Sequence, residues 1–157
     1  MKVLFLDIDG VVNPFQADDD GNIITRLDEG CVMNLARVVK ETDCKIVISS
    51  TWKASPHLMD MLDEELFPKL PVGCVVGCTC TFIPQRPRED EIAKYLVEHS
   101  DEIDNFVVVD DYDFELKKLM ETGRVVITDA LKGLTIEDAN KCISLLNNTL
   151  PNVQKVV

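Results

Sequence analysis

Apolar residues fall into short blocks along the chain, and the spacing inside each block predicts alternating strands and helices. Largely apolar runs at Lys2–Leu6, Lys45–Ile48, 72–76, 106–109 and 124–127 predict five short buried strands. Between them, apolar positions recur at helical intervals. Residues 28–40 place Cys31, Leu35, Val38 and Val39 on one face. Residues 56–67 open on Pro56, which suits a first helical turn. Residues 88–99 carry Ile92, Tyr95 and Leu96. Residues 113–121 are closed by Gly123. Residues 135–146 begin at Thr135, with Asp138 three positions on as a variant of the capping box. Strands buried on both sides and separated by helices predict an α/β fold. The expected architecture is a single doubly wound (Rossmann-like) parallel five-stranded sheet over residues 1–157, with helices on both faces.

One segment breaks the alternation. Residues 13–26 hold Asp18-Asp19-Asp20-Gly21-Asn22 beside the β-prone Ile23-Ile24-Thr25. Asp-Gly next to such a run predicts a small hairpin flap after strand one. A calcium loop does not fit, because Gln16 and Leu27 would fall at its first and twelfth positions.

The first strand ends in Asp7-Ile8-Asp9-Gly10. Two carboxylates at the end of a buried strand suit a hard cation and place a nucleophile beside an acid/base. Two further strands end in chemistry: Ser49-Ser50-Thr51 after the second and Asp110-Asp111 after the fourth. In an open parallel sheet, ligands gather at the carboxyl ends of the strands. Arg88 opens the helix after strand three, where the helix dipole already favours an anion. Carboxylates, hydroxyls and a guanidinium in one place point to magnesium and a phosphate group. The sequence places no basic residue among Asp7, Asp9 and Asp110, which would leave their repulsion to a cation.

Composition narrows the class. The net charge of −12, from 28 acidic and 16 basic residues, disfavours nonspecific nucleic-acid binding. No apolar run is long enough to span a membrane. The chain enters strand pattern at once, without signal-peptide architecture, so a cytoplasmic protein is expected. Six cysteines are then read as reduced thiols. The spacing of Cys74, Cys78 and Cys80 matches no standard zinc pattern, and small buried side chains are expected there. His57 and His99 have no metal-like partner at helical spacing.

The chain resembles the haloacid dehalogenase-like (HAD) phosphohydrolase superfamily. The resemblance rests on Asp7-Ile8-Asp9-Gly10, then Ser49 or Ser50, then Arg88, then Asp110-Asp111, in the superfamily's order. The runs Ser49-Ser50-Thr51-Trp52-Lys53, Arg88-Glu89-Asp90-Glu91-Ile92 and Gly133-Leu134-Thr135 look like a small capless branch found in RNA-repair proteins. The resemblance implies a Mg²⁺-dependent phosphatase. Asp7 would be the nucleophile that becomes an aspartyl-phosphate, and Asp9 the general acid and base. Ser49 or Ser50, with Arg88, would hold the phosphate. Mg²⁺ would sit on Asp7, the Asp9 backbone carbonyl and Asp110, with Asp111 beside them. Ser49 directly follows the apolar run and ranks ahead of Ser50. Arg88 is preferred over Lys53, Arg86 and Lys94 as the third motif.

The segments between the motifs are used up by the expected flap, helices and strand, leaving no room for a cap domain. An open site admits a phosphorylated small molecule or a macromolecular phosphate, from a nucleic-acid end or a phosphoprotein. A second subunit of a homo-oligomer could also close it. The acidic flap would repel a long polyanion. Trp52 is available to stack a base or sugar, or to pack in the core. Two alternatives stand beside the phosphatase: a phospho-accepting receiver-like domain, and a noncatalytic phosphate-binding domain on the same fold. A receiver needs an accepting Asp at the end of strand three, and none is found there.

Overall fold

Alternation of side chains along three central strands builds two cores, one on each face of the sheet. The computed structural model describes residues 1–79 and 87–148. Its main sheet is parallel throughout and has five strands: β1 (Lys2–Leu6), β4 (Lys45–Ile48), β5 (Val75–Cys78), β6 (Asn105–Asp110) and β7 (Val125–Ile127). The spatial order is β5-β4-β1-β6-β7, so the chain winds outward from β1 in both directions. This is the doubly wound arrangement. Leu4, Leu6, Ile46, Ile48, Val107 and Val109 point to one face. There they pack with α1 (Glu29–Thr42) and α5 (Ile136–Asn147). Val3, Phe5, Val47, Phe106 and Val108 point to the other. That face is covered by α3 (Arg88–Glu98) and the short α4 (Lys117–Met120).

Local chemistry sets the ends of the long helices. Asp28 caps α1 by accepting the Cys31 N–H at 2.9 Å. Thr135 and Asp138 form the full reciprocal capping box at α5. The flap is a two-stranded hairpin, β2 (Gln16–Ala17) with β3 (Ile23–Ile24). Asp18 tightens its turn by accepting the backbone N–H groups of Asp20 and Asn22. Among the described residues no cap domain is inserted, and no helix is long and apolar enough to cross a membrane.

Three sequence expectations shift. The strand expected at 72–76 lies at Val75–Cys78. Gly73, at φ 72°, turns the chain just before it and leaves Val72 fully exposed. The helix expected over 56–67 stops as α2 at Pro56–Met61. It loosens through a π-helical turn at Leu62–Leu66 into a 3₁₀ turn at Phe67–Lys69, where Pro68 has no N–H to continue the ladder. The helix expected over 113–121 shrinks to α4, because the preceding loop is drawn instead to Asp110 and to the start of α3. Cys31, Cys44, Cys74, Cys78 and Cys142 are free thiols. Cys74 is buried as expected, whereas Cys78 is exposed on the edge strand, contrary to expectation. Cys80 lies outside the described residues.

Candidate active site

The parity of the central strands decides which side chains meet at their carboxyl ends. In β1, Val3 and Phe5 face α3, so the next residue of that parity, Asp7, does too. In β6 the same row is Phe106, Val108 and Asp110; in β4 it is Val47 and Ser49. Leu6 pairs with Ile48 on one side and Val109 on the other. The register continues one step further: Ser49 N–H donates to Leu6 O at 2.9 Å and Asp7 N–H to Val109 O at 3.0 Å. Asp7 therefore has Ser49 and Asp110 as neighbours on adjacent strands. All three are buried.

Ser50, one residue on, has the opposite parity. Its hydroxyl accepts the Trp52 N–H at 3.3 Å and caps the 3₁₀ turn Thr51–Ala54. Ser49 Oγ is buried with no hydrogen-bond partner among the described residues. An orphaned buried hydroxyl costs free energy, about 1–3 kcal/mol, unless a ligand satisfies it.

Arg88 is the first residue of α3, and its guanidinium reaches the row from above. Its Nη1 lies 2.8 Å from Asp7 Oδ2 and also bonds Asp110 Oδ2. This corrects the expectation that no basic residue stands among the carboxylates. The cause is packing: Ile92 and Leu96 seat α3 on the sheet face carrying Asp7 and Asp110. Burial works against the Arg88 cation, but the charges of Asp7 and Asp110 outweigh it and raise its pKa. The Asp110 carboxyl is pushed up to about 6, by burial first and then by the charge of Asp7, against the pull of Arg88. Asp111 is raised for the same two leading reasons.

Carboxylate oxygens of Asp7, Asp110 and Asp111 lie within 4.8 Å of one another. Hard oxygen donors at this spacing suit magnesium. Three carboxylates face one guanidinium, so negative charge remains in excess where a divalent cation would neutralise it. The residues fit the ion. Gly10 permits the arrangement: it has φ 67°, and a Cβ there would meet Asp111 at 2.4 Å.

The Asp9 carboxylate is held apart from that group. Its Oδ1 accepts Asn13 Nδ2–H at 2.6 Å and its Oδ2 accepts Trp52 Nε1–H at 2.8 Å. Trp52 is buried, so its ring does not stack a ligand; its polar edge orients Asp9. Lys53 is also committed. Its Nζ lies 2.5 Å from Glu91 Oε2 and donates to Ser49 O at 3.2 Å, with its side chain 3% exposed. Glu91 also accepts the Thr79 hydroxyl at 3.0 Å. Of the other two basic candidates, Lys94 pairs with Glu98 on the solvent side, and Arg86 lies outside the described residues.

Asn13 and Thr79 escape a reading of motifs, since only the folded chain brings them in; Glu91 lies within the Arg88–Ile92 run on α3, but its role shows only in its contacts with Lys53 and Thr79. Asn13-Pro14 does carry a turn signal. Among the described residues no carboxylate stands at the end of β5, where a receiver domain would need one.

A doubly wound sheet whose first strand ends in Asp-x-Asp-Gly, faced by a serine, a helix-opening arginine and an acidic pair, defines the HAD class of fold. Comparison with protein families agrees: the chain belongs to the family described as the HAD domain in Swiss Army Knife RNA repair proteins, whose model matches residues 3–139. Membership points to phosphohydrolase-type chemistry. Neither the comparison with curated proteins nor that with solved structures found a match.

Proposed function

We propose that the chain is a magnesium-dependent phosphomonoester hydrolase that works through an aspartyl-phosphate on Asp7. The observation that supports it best is the row Ser49–Asp7–Asp110 on adjacent strands, with Arg88 reaching Asp7 and Asp110 from α3. An Asp7 oxygen attacks phosphorus, forming the Asp7 O–P bond as the bond to the leaving oxygen breaks. Asp9, fixed by Asn13 and Trp52, gives its proton to that leaving oxygen. In the second step Asp9 takes a proton from water as the water attacks phosphorus. The Asp7–phosphate bond breaks and inorganic phosphate leaves. Ser49 Oγ donates to a phosphoryl oxygen, and Arg88 binds another, where charge spreads in the transition state. Magnesium, when bound by Asp7, Asp110 and Asp111, supplies charge neutralisation that lets an anion approach an anion.

The uncapped entrance and the family's description favour the phosphate at a nucleic-acid end over a small metabolite. The acidic flap argues against wrapping a long polyanion, so the end would enter alone. A generic aryl phosphate tests the reaction class. We expect sustained phosphate release with Mg²⁺, lost on chelation and regained on adding Mg²⁺. A single equivalent of phosphate taken up without turnover would indicate a receiver-like domain instead. Full activity in excess chelator would contradict the metal requirement.

A further inference from the structure

The loop between β6 and α4 leaves two aromatic side chains in water immediately beside the candidate site. Tyr112 is 57% exposed and Phe114 62%, and neither joins the core on either face. Their ring centroids are 6.1 Å apart with planes tilted by 38°. Lys117 Nζ lies 4.3 Å from the Phe114 ring centroid.

This loop is pinned at both ends. Tyr112 N–H donates to Asp110 Oδ1 at 3.0 Å, the carboxylate that also bonds Arg88. Glu89 N–H of α3 donates to Glu115 O at 3.1 Å, and Lys118 N–H to Glu89 Oε2 at 2.8 Å. Exposed rings on a fixed backbone form a preorganised surface, which lowers the ordering cost of binding. The whole chain carries a net charge of −12, and Lys117 and Lys118 stand together here. Among the described residues Lys117 makes no ion pair, and Lys118 has only a long contact of 3.7 Å to Glu89.

We infer that the Tyr112–Phe114 pair is a stacking subsite for the unpaired base of the nucleotide whose phosphate occupies the site. In a nucleotide only the sugar separates base from phosphate, so a ring platform starting one residue after Asp111 is suitably near. Aromatic faces stack any base, and Lys117 and Lys118 offset the charge of the exposed Asp113 and Glu115 that flank the rings. A phosphoserine or phosphothreonine peptide offers no flat ring beside its phosphate and gains nothing from this pair. The inference rests on the phosphatase reading and adds to it the residues that select a nucleic-acid end.

The test compares kcat/KM for a short single-stranded oligoribonucleotide bearing a terminal phosphate, at either its 3′ or 5′ end, with that for glycerol phosphate. Tyr112→Ala, Phe114→Ala and the double variant should lower the oligonucleotide-to-glycerol-phosphate ratio by about 5- to 150-fold. The loss should appear mainly in KM. Tyr112→Phe with Phe114→Trp should restore the ratio. An unchanged ratio in the double variant would overturn the subsite. So would a phosphoserine peptide that loses as much as the oligonucleotide. If the wild-type chain turned over no phosphate at all, the phosphatase reading would fall. Fluorescence anisotropy of a labelled oligonucleotide would then still test the stacking: weaker binding in the double variant supports it, equal binding overturns it.

Discussion

At the scale of single residues, the site depends on which cation faces which carboxylate. Arg88 and Lys53 compete by position, but each has a different partner. Arg88 pairs with Asp7 and Asp110, whereas Lys53 is enclosed with Glu91. Their alanine variants should therefore fail differently. Measured in Mg²⁺, which neutralises Asp7 and Asp110 in its place, Arg88→Ala should fold and lose turnover by more than it raises KM, as expected of a contact strengthened in the transition state. Lys53→Ala leaves Glu91 buried without its cation, which costs about 3–5 kcal/mol of stability. Steady-state kinetics beside thermal melts separate the two. A stable Lys53→Ala variant with crippled turnover, beside a nearly normal Arg88→Ala, would reverse the assignment. Trp52 shows why a lone aromatic is hard to read from sequence. Its ring packs in the core while the N–H at its edge holds Asp9, so both its apolar and its polar parts are used.

At the scale of elements, strand parity carries most of what was legible. The row Asp7, Ser49 and Asp110 follows from counting by two along apolar runs, because each run is buried and its register is fixed by neighbours. The boundaries that slipped are those where apolar content does not decide. β5 lies at the sheet edge and buries little, so Val72 and Val76 gave no reliable frame. The loop before α4 is shaped by hydrogen bonds to Asp110 and α3, and its sequence pattern still looked helical. The Asn13–Asp9 and Lys53–Glu91 contacts likewise depend on loops whose course only tertiary packing determines. The turn after β1 makes the sharpest demand. Gly10→Ala forces a left-handed conformation on alanine and drives its Cβ into Asp111. We expect a folded but destabilised protein with weakened Mg²⁺ affinity, read as a higher Mg²⁺ concentration at half-maximal activity. Wild-type metal dependence in Gly10→Ala would show that Asp111 does not need this approach.

At the scale of the whole molecule, the site holds charge that the fold must tolerate. The Asp110 pKa rises from 3.8 to about 6 on folding, through burial and then Asp7. The folded state therefore binds a proton more tightly than the unfolded chain, and this group's contribution to stability falls as pH rises. Its penalty is absent below about pH 4, grows up to about pH 6, and is constant above. In chelator, the melting temperature of Asp110→Asn relative to wild type should rise across that window and then level off. A flat difference would mean that Asp110 is not strained by its neighbours. Magnesium should stabilise the wild type most above the window, where the carboxylates are ionised. The central claim is covalent catalysis by Asp7, and one comparison tests it most directly. Phosphate release in Mg²⁺ should be measured for wild type, Asp7→Asn and Asp9→Asn, each shown to be folded. The account predicts a loss of at least about a hundredfold in both variants and no phosphoryl adduct on the Asp7 peptide of Asp7→Asn. Near-normal release by Asp7→Asn would contradict it.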